Sequence, residues 1–386
     1  MAKLTKKRQL AAKIESIEGT AETLAAIDAK LLAYDPKATP DPQLHDKQPA
    51  TDSFSKFGKL VGSIPMGLTF GLGLKGSGTA TVEPQFGKIL KGCGFQINTF
   101  KTISIGAITS GPFLHSEVIT GSISGATGRV LIKTVTGTTT LYFVLISGTF
   151  QSGETLTGSI SGATAVTSST ASDTGKAIEP LSLYATTQIE SLTLGNYEDG
   201  IRKLIKGARG NVKFPFKMGE PVIMELDFKG AEQAIADIPL LSGVTFESTK
   251  MPVFLNAGFT VDSYAARVSE LNLDMGNALA QRDDINDAKG ILSFLLTDRN
   301  PTGSFKTEMV PAATYDFYAK LEANTEVELN FILGATTGNK FRFYAPKLQY
   351  TKIEDDDASG RQLITVSYCL NGTLGLKDSE FAILCL

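Results

Sequence analysis

Two histidines, His45 and His115, are the residues of this chain best suited to general acid–base or metal chemistry. Each lies in a loop-like stretch that carries Pro or Gly, with no Cys, Asp or Glu at the spacing of a metal site. Neither adjoins a G-x-S-x-G turn of the kind that presents a nucleophilic serine. The sequence therefore indicates no metal centre and no cofactor, and it disfavours a Ser/His/Asp hydrolase.

The stretch GLGLKG has the glycine spacing of a dinucleotide-binding loop, at Gly71, Gly73 and Gly76. Across residues 68–75, however, large apolar side chains alternate with small or polar ones, which is the period of a β-strand. The residues that follow, SGTATVEP, do not form an amphipathic helix whose N-terminus could hold a pyrophosphate. We therefore expect a glycine-interrupted strand here.

Clustered acids occur in RDDIND (282–287) and EDDDAS (354–359). Such runs are usually solvated loops. A glycan hydrolase would need two acids facing each other across a groove, and the sequence alone cannot pair them. Because the chain has few histidines and no tryptophan, a sugar-processing cleft is disfavoured and we do not expect an enzyme.

The composition is typical of a soluble globular chain with a sizeable core. The 386 residues are 42% hydrophobic and 20% charged, which is enough for two or three domains. A net charge of −3 gives no reason to expect tight binding to nucleic acid or to a membrane surface, and no run of apolar residues is long enough to span a bilayer. The basic N-terminus is not followed by the apolar run of a signal peptide, so we expect the chain to stay in the cytoplasm where it is made. The three widely spaced cysteines fit reduced core thiols.

Most of the sequence is typical of β-structure. Segments such as NVKFPF, IMELDF and VELNFIL are short, alternate between apolar and polar residues, and are rich in aromatic or aliphatic side chains. One helix is predicted after Glu83, with apolar residues at positions i, i+3, i+4 and i+7. These residues are Phe86, Ile89, Leu90 and Cys93. We expect this helix to pack its single apolar stripe on a sheet.

The first sixty residues leave more than one conformation open. Leu10, Ile14 and Ile17 have helical spacing, but a basic N-terminal arm could equally be extended until it meets a neighbour. Residues 35–60 contain four prolines and few apolar side chains. We interpret them as a long non-regular crossing segment.

An identical octet, TGSISGAT, occurs at 120–127 and again at 157–164. Both copies lie inside a stretch rich in Gly, Ser and Thr, residues 103–176. The strand-like sequences RVLIKTV and TTLYFVLISGTF in that stretch favour a small folded β module over disorder. The octet itself is expected to form tight turns in which Gly adopts positive φ and hydroxyls cap backbone groups, and a ligand-binding role for it stays open.

The agreement between the two copies extends beyond the octet, over residues 113–128 and 150–165. This alignment places Glu117 on Glu154. We therefore predict that the module consists of two similar halves, which arose by duplication of one β-turn unit.

Five further motifs, taken in order, resemble the tail tube proteins, or major tail proteins, of long-tailed bacteriophages. They are LAAKIESIEGTAETLAAIDAKLLAYD (10–35), PQFGKILKGCGF (84–95), GARGNVKFPFKMGEPVIMELDFKG (207–230), VSELNLDMGNALAQRDD (268–284) and LLTDRNPTGSF (295–305). The resemblance leaves out the Gly-, Ser- and Thr-rich stretch. We therefore expect a tail-tube core formed by residues 1–102 and 177–386, with the arm and crossing segment in residues 1–60, and an inserted β module at 103–176.

The resemblance implies a mainly β fold, a β-sandwich subunit with a flanking α-helix that contributes strands to an oligomeric β-barrel tube. It also implies a non-enzymatic structural virion protein. Six copies would close into a ring, and rings would stack into a conduit for genome ejection into the host. The implied partners are further copies of the chain, other phage tail proteins, and genomic DNA that passes through the lumen without specific binding. The implied location is the virion tail, after assembly in the host cytoplasm.

Basic side chains on the wall of such a conduit would capture DNA phosphates, so we expect the lumen to be net negative. Candidate lumen-facing acids are Glu198 and Asp199 in the hairpin at 196–210, and Asp283 and Asp284 in the later acidic loop. Each could equally lie on a solvated exterior surface.

Contacts between rings are expected from the N-terminal arm and the crossing segment, because both are poorly able to fold alone. The candidate contact residues are Leu10, Ile14, Ile17, Phe54 and Phe57. The alternative is a frayed terminus and an ordinary surface loop.

A second function stays open on the sequence alone. A tail-tip, baseplate or receptor-binding protein could use residues 103–176 to bind a cell-surface glycan. Stoichiometry distinguishes the two functions, since a tube protein polymerises into filaments and a tip protein stops at one small ring.

Overall fold

The computed structural model describes residue 4, residues 6–182 and residues 189–386, and the fold is mainly β, as predicted. The strands in these residues are β1 Arg8–Ile14, β2 Ala33–Pro40, β3 Leu44–His45, β4 Leu60–Val61, β5 Pro65–Gly73, β6 Phe95–Ser104, β7 Val118–Gly121, β8 Thr127–Val130, β9 Thr140–Ser147, β10 Thr155–Gly158, β11 Thr164–Val166, β12 Ser172–Pro180, β13 Leu192–Glu198, β14 Ile201–Lys217, β15 Ile223–Glu232, β16 Thr260–Val261, β17 Val268–Asp274, β18 Asn277–Asp283, β19 Ile291–Arg299, β20 Thr302–Glu308, β21 Glu326–Leu333, β22 Phe341–Ala358, β23 Arg361–Leu370 and β24 Ala382–Cys385. The helices are α1 Gly87–Lys91 and α2 Phe317–Glu322, with a 3-10 turn at Ala26–Ala29. Across the described part of the chain, no helix has the length and apolar character needed to cross a membrane.

Apolar and polar side chains alternate along these segments, which explains why the segments form strands. In β15, Met224, Leu226 and Phe228 are buried, while Glu225 and Asp227 between them are exposed. Successive side chains of a strand point to opposite faces, so this pattern buries one face in the core and leaves the other in water.

One continuous antiparallel network connects the main strands because two of them are long enough to change partners along their length. β14 pairs with β13 and β15 over its first part and with β17 over its last five residues. β22 pairs with β21 and β24 where it begins and with β23 where it ends. The network thereby folds over on itself into two layers that share one core.

Aromatic rings fill the space between the two layers. Phe216 of β14 lies edge-to-face against Phe331 of β21 and Phe343 of β22, with ring centroids 5.1 and 5.0 Å apart. These edge-to-face pairs match the preferred geometry of aromatic rings and fix the layers against each other.

The predicted helix is confirmed as α1, although only Gly87–Lys91 is regular helix. All four side chains of its apolar stripe are buried in the main core. The helix lies against β6 and β1, so it caps one margin of the sheets.

The helical alternative for the N-terminus is wrong. β1 pairs along its whole length with β13, from Arg8 opposite Glu198 to Ile14 opposite Leu192. Leu10, Ala12 and Ile14 also fit the two-residue period of a strand and pack in or against the main core. The helical spacing of Leu10, Ile14 and Ile17 does not determine the conformation, because pairing with the distant strand β13 makes this segment a β-strand.

The predicted crossing segment is partly strand. β2 includes residues 35–40 and pairs with β5, so the non-regular interpretation was wrong for that part. Residues 46–59 are without regular structure. The GLGLKG prediction is confirmed, because Gly71 and Gly73 lie within β5 opposite Glu225 and Ile223 of β15.

Residues 103–176 enclose a hydrophobic cluster of their own, which includes the fully buried rings of Phe113 and Phe150. Strands β7 to β11 lie in this stretch. It continues directly from the main sheet, since β6 and β12 pair with each other and β9 extends the sheet from β6.

The two halves of this stretch are related by a local two-fold axis. β7 and β10 pair so that Thr120 lies opposite Thr157, which occupies the equivalent position in the second copy. Each octet forms a tight turn with a glycine at positive φ, at Gly125 (64°) and Gly162 (66°). The predicted turn chemistry is confirmed by the hydroxyls of Ser124 and Ser161, each of which accepts a hydrogen bond from the backbone nitrogen two residues later.

Candidate functional site

A broad polar surface crosses β15, β14, β17 and β20 on the side of the sheet that faces away from the core. We call it the polar face, and its side chains are Glu225, Asp227, Lys229, Lys213, Pro215, Lys217, Glu270, Asn272, Asp274, Ser304 and Lys306. The apolar residues that alternate with them are buried, so the sheet itself sets the spacing of these groups.

The strand register places opposite charges next to each other on the polar face. Lys213 lies between Glu225 of β15 and Asp274 of β17, directly opposite each of them. Its Nζ lies 2.9 Å from Oδ2 of Asp274. Burial opposes ionisation of Asp274, but hydrogen bonds from Asn211 and Gly276 and the Lys213 ammonium lower the pKa of its carboxyl group.

Three lysines of the polar face have acidic partners. Lys213 pairs with Asp274, Lys217 pairs with Glu220 at 3.0 Å, and Lys306 pairs with Asp356. In each pair the hydrogen bond to the carboxylate raises the pKa of the lysine. These ammonium groups therefore stay charged while a carboxylate beside each one neutralises it.

Unpaired charge on the polar face is mainly acidic. Glu225, Asp227 and Glu270 have no ion-pair partner among the residues that the structure describes. In the same part of the chain, Lys229 is the lysine of the face without such a partner. Three unpaired carboxylates against one unpaired ammonium leave a surface that has little to hold an anion.

The predicted acids of the 196–210 hairpin are engaged by neighbouring basic groups. Glu198 Oε2 accepts a hydrogen bond from Lys203 Nζ at 2.9 Å. Asp199, in the turn with φ of 42°, accepts from the Leu4 backbone nitrogen at 2.9 Å and lies 3.7 Å from Lys7 Nζ. The N-terminal residues thus cover this turn.

Asp283, the last residue of β18, is exposed, and Asp284, which follows it, is partly buried. Asp283 accepts a hydrogen bond from the side chain of Gln281, and Asp284 accepts two from Asn286. The hydrogen-bond donors to Asp283 and Asp284 lie close to them in sequence, whereas Glu198 and Asp199 contact Lys203, Leu4 and Lys7. Whether any of the four faces a lumen stays a prediction.

The predicted inter-ring contacts divide into buried and exposed residues. Leu10 is fully buried in the core of its own subunit, and Ile14 packs against that core. Ile17, Phe54 and Phe57 are exposed and stay candidates. Residues 1–3 and 5 of the predicted arm lie outside the described residues.

His115 is buried, and its neighbours give it a role in packing. Its Nδ1 lies 2.5 Å from the carbonyl oxygen of Leu131, and its ring packs on Tyr344 with centroids 5.6 Å apart. Burial lowers the pKa of His115 to about 4, so the imidazole is neutral at physiological pH. Among the residues described, no cluster of His, Cys, Asp and Glu has the arrangement of a metal site.

The sequence contained a signal for the polar face that the choice of candidate acids missed. In IMELDF and VSELNLD, acidic residues alternate with buried apolar ones over two strands that flank β14. That alternation predicts an exposed charged sheet face, whereas acids in turns are common on any surface. The polar face forms because β14 pairs with both of these strands, β15 and β17. The sequence alone does not reveal that pairing.

A family model described as phage tail tube protein matches residues 5–369 of the chain. A comparison with curated proteins finds no match. The match spans the two-layered β-fold, the polar face and the segment 103–176, and it agrees with the resemblance that the sequence motifs carry. The chain belongs to the phage tail tube protein family and is a structural component of the phage tail.

Proposed function

We propose that this chain assembles into hexameric rings that stack into the tail tube and that the polar face lines its lumen. The observation that carries the proposal is a wide, exposed β-surface whose lysines are paired with carboxylates and whose remaining charge is mainly acidic. A sheet that closes with its neighbours into a barrel has one face toward the lumen and one toward its own core.

The charge arrangement suits the passage of DNA. Free ammonium groups on a wall bind phosphates by releasing counterions, and many such contacts would hold the duplex. On the polar face, Lys213, Lys217 and Lys306 already have acidic partners within the protein. A phosphate approaching them also meets the carboxylates of Asp227 and Glu270, so the wall repels the duplex weakly and lets it slide.

We further propose that the chain acts without catalysing a reaction. The polar face carries no histidine or cysteine, and its acids lie on an open sheet rather than across a groove. Its work in the virion would be mechanical, to form a wall during assembly in the host cytoplasm and to guide the genome during ejection.

The segment 103–176 is proposed to be an accessory unit on the outside of the tube. It has a separate hydrophobic cluster, and it joins the main sheet through the adjacent strands β6 and β12. Thr102 and Ser172 lie opposite each other where the segment leaves and returns, which is the arrangement of an insertion at a hairpin.

Negative-stain electron microscopy of the purified protein over a concentration series tests the proposed assembly. Rings at low concentration and hollow tubes at high concentration, with a lumen wide enough for a DNA duplex, are the expected result. A monomer or one small closed ring at every concentration would contradict tube formation.

A further inference from the structure

A pocket of about 500 Å³ opens at the end of the subunit where β2 begins and β5 ends. Its apolar lining includes Leu31, Leu72, Phe86, Met251 and Val253. The segment 247–253 forms one wall and joins no regular sheet along its length. The size and apolar character of the pocket suit one or two aromatic side chains.

The lining of the pocket also carries basic groups. Lys30, Lys75 and Lys250 are among its residues. The Lys75 ammonium donates a hydrogen bond to the carbonyl oxygen of Glu247 at 2.9 Å.

Residues 46–59 of the crossing segment, called the arm from here on and distinct from the N-terminal arm, carry exposed apolar groups. Phe54 is fully exposed and Phe57 is about half exposed, with Lys56 between them. The arm forms hydrogen bonds and an ion pair within itself, such as the pair between Lys59 and Asp46. Two exposed phenyl rings on a segment that contacts so little are an apolar surface available for burial.

The arm and the pocket lie at opposite ends of one strand pair. Ala33 opposite Leu72 marks the pocket end of the β2–β5 pair. From there β2 and β5 run side by side to Pro40. Farther from the pocket the same two chain segments pair again as β3 and β4, where His45 lies opposite Leu60. The twelve residues from Leu72 to Leu60 span about 40 Å at 3.3 Å per residue, so the arm cannot reach the pocket of its own chain.

We propose that the pocket receives the arm of another copy of this chain, with Phe54 and Phe57 in the apolar lining. The inference rests on the proposed tube and specifies the contact between one ring and the next. A contact that joins opposite ends of identical subunits is heterologous and does not close on itself, so it repeats indefinitely along one direction.

Photocrosslinking tests the location of the contact. A benzophenone amino acid replaces Phe54 in the full chain, and the crosslinked peptides are mapped by mass spectrometry. The expected product joins the arm to residues 247–253 of another copy. The matched control places the same probe at Ile285, which is as exposed as Phe54 but lies outside the arm, and it should not reach the pocket.

Substitutions in the pocket and in the arm test the chemistry. Val253→Arg blocks the pocket, whereas Leu255→Arg changes an exposed residue two positions later that does not line it. Val253→Arg and Phe54→Ala should each raise the concentration for half-maximal polymerisation about tenfold or more, while Leu255→Arg should not.

Mixing the variants gives a result specific to a head-to-tail contact. Val253→Arg rings keep their arms and Phe54→Ala rings keep their pockets, so a mixture should form stacks of two rings that grow no further. Each variant is first checked for the circular dichroism spectrum and melting temperature of the wild type, which separates lost contact from lost fold.

The outcomes distinguish this inference from the proposed function. The proposed contact with the pocket would be wrong if tubes form but the probe at Phe54 crosslinks elsewhere, or if Val253→Arg forms tubes normally. Either result would still support the proposed tube. A wild-type chain that never polymerises would overturn both.

Discussion

The carboxylate of Glu117, in the first repeat of segment 103–176, binds Ser161 in the turn of the second. Its Oε1 lies 2.9 Å from the Ser161 hydroxyl and its Oε2 lies 3.0 Å from the Ser161 backbone nitrogen. Glu154 returns the contact, with Oε2 2.8 Å from the Ser124 hydroxyl. Both glutamates are fully buried. Each half therefore caps the turn of the other, and this exchange explains why the octet and its glutamate occur twice.

Replacing Glu154 with Gln should destabilise the segment by about 1–3 kcal/mol. The amide would have one acceptor oxygen for a site in which the carboxylate accepts from Ser124, Ile123 and Gln151. Its NH₂ group would also point at backbone donors. Denaturant unfolding of the wild type and the variant measures the difference.

Glu354→Gln is the matched control, because Glu354 is an exposed glutamate whose ion-pair partner is the exposed Lys352. Its effect should lie within about 0.5 kcal/mol. Equal effects at Glu154 and Glu354 would contradict the capping role.

The same site predicts a dependence of stability on pH. Burial opposes ionisation of Glu154, but hydrogen bonds from Ser124 and Gln151 outweigh it and lower the pKa below the ordinary value of 4.5. Because the folded pKa is depressed, the stabilisation is fully present above pH 4.5 and is lost as the pH falls through the folded value. The stability difference between wild type and Glu154→Gln should therefore shrink on acidification below 4.5, and a difference that grows would contradict the assignment.

Removing residues 103–171, which is segment 103–176 without its part of β12, should leave a chain that folds and polymerises. Thr102 and Ser172 lie opposite each other, so a two-residue Asn-Gly turn can replace residues 103–171 and close a β6–β12 hairpin. Some stability should be lost, because Leu131 of the segment packs with Phe100 and Tyr344 of the core. Electron microscopy should show tubes of smaller outer diameter with an unchanged lumen.

A variant of this kind that keeps its melting transition but forms no tubes would show that the segment takes part in assembly. A decrease in lumen width with the outer diameter unchanged would place the segment inside the tube. Either result would contradict an accessory unit on the exterior.

How far the sequence predicts this structure depends on whether the deciding contacts are local. The apolar stripe of α1 and the alternation of β15 are local patterns, and both predictions are confirmed. The conformation of residues 8–14 depends on pairing with β13, some 180 residues away, so helical spacing at Leu10 and Ile14 was misleading.

The candidate sites show the same division. Alignment of the repeats matched Glu117 with Glu154, but the crossing of their contacts requires the antiparallel pairing of β7 and β10. The polar face likewise exists only because Lys213 of β14 lies between Glu225 and Asp274. Sequence patterns identified the exposed face of each strand, and strand order then decided which faces join.

Neutralising the unpaired acids of the polar face should make the tube retain DNA. A variant that carries Glu225→Gln, Asp227→Asn and Glu270→Gln together removes the negative charge near the lysines of the polar face. Binding of DNA phosphates to these lysines would then become favourable. Tubes of this variant should retain short DNA duplexes at low salt and release them at high salt, while wild-type tubes should retain little. Neutralising Asp283 and Asp284, which lie outside the polar face, gives the comparison. If the polar face forms the wall of the lumen, these tubes should behave as the wild type, and retention of DNA by them would place the two loop acids in the lumen instead.

A cryo-electron microscopy map of tubes polymerised from the purified chain tests the central claim most directly. The account predicts rings of six subunits in which β15, β14, β17 and β20 form the inner wall, with Asp227 and Glu270 directed at the axis. A tube in which this sheet faces outward, or a wall formed by other strands, would contradict the account.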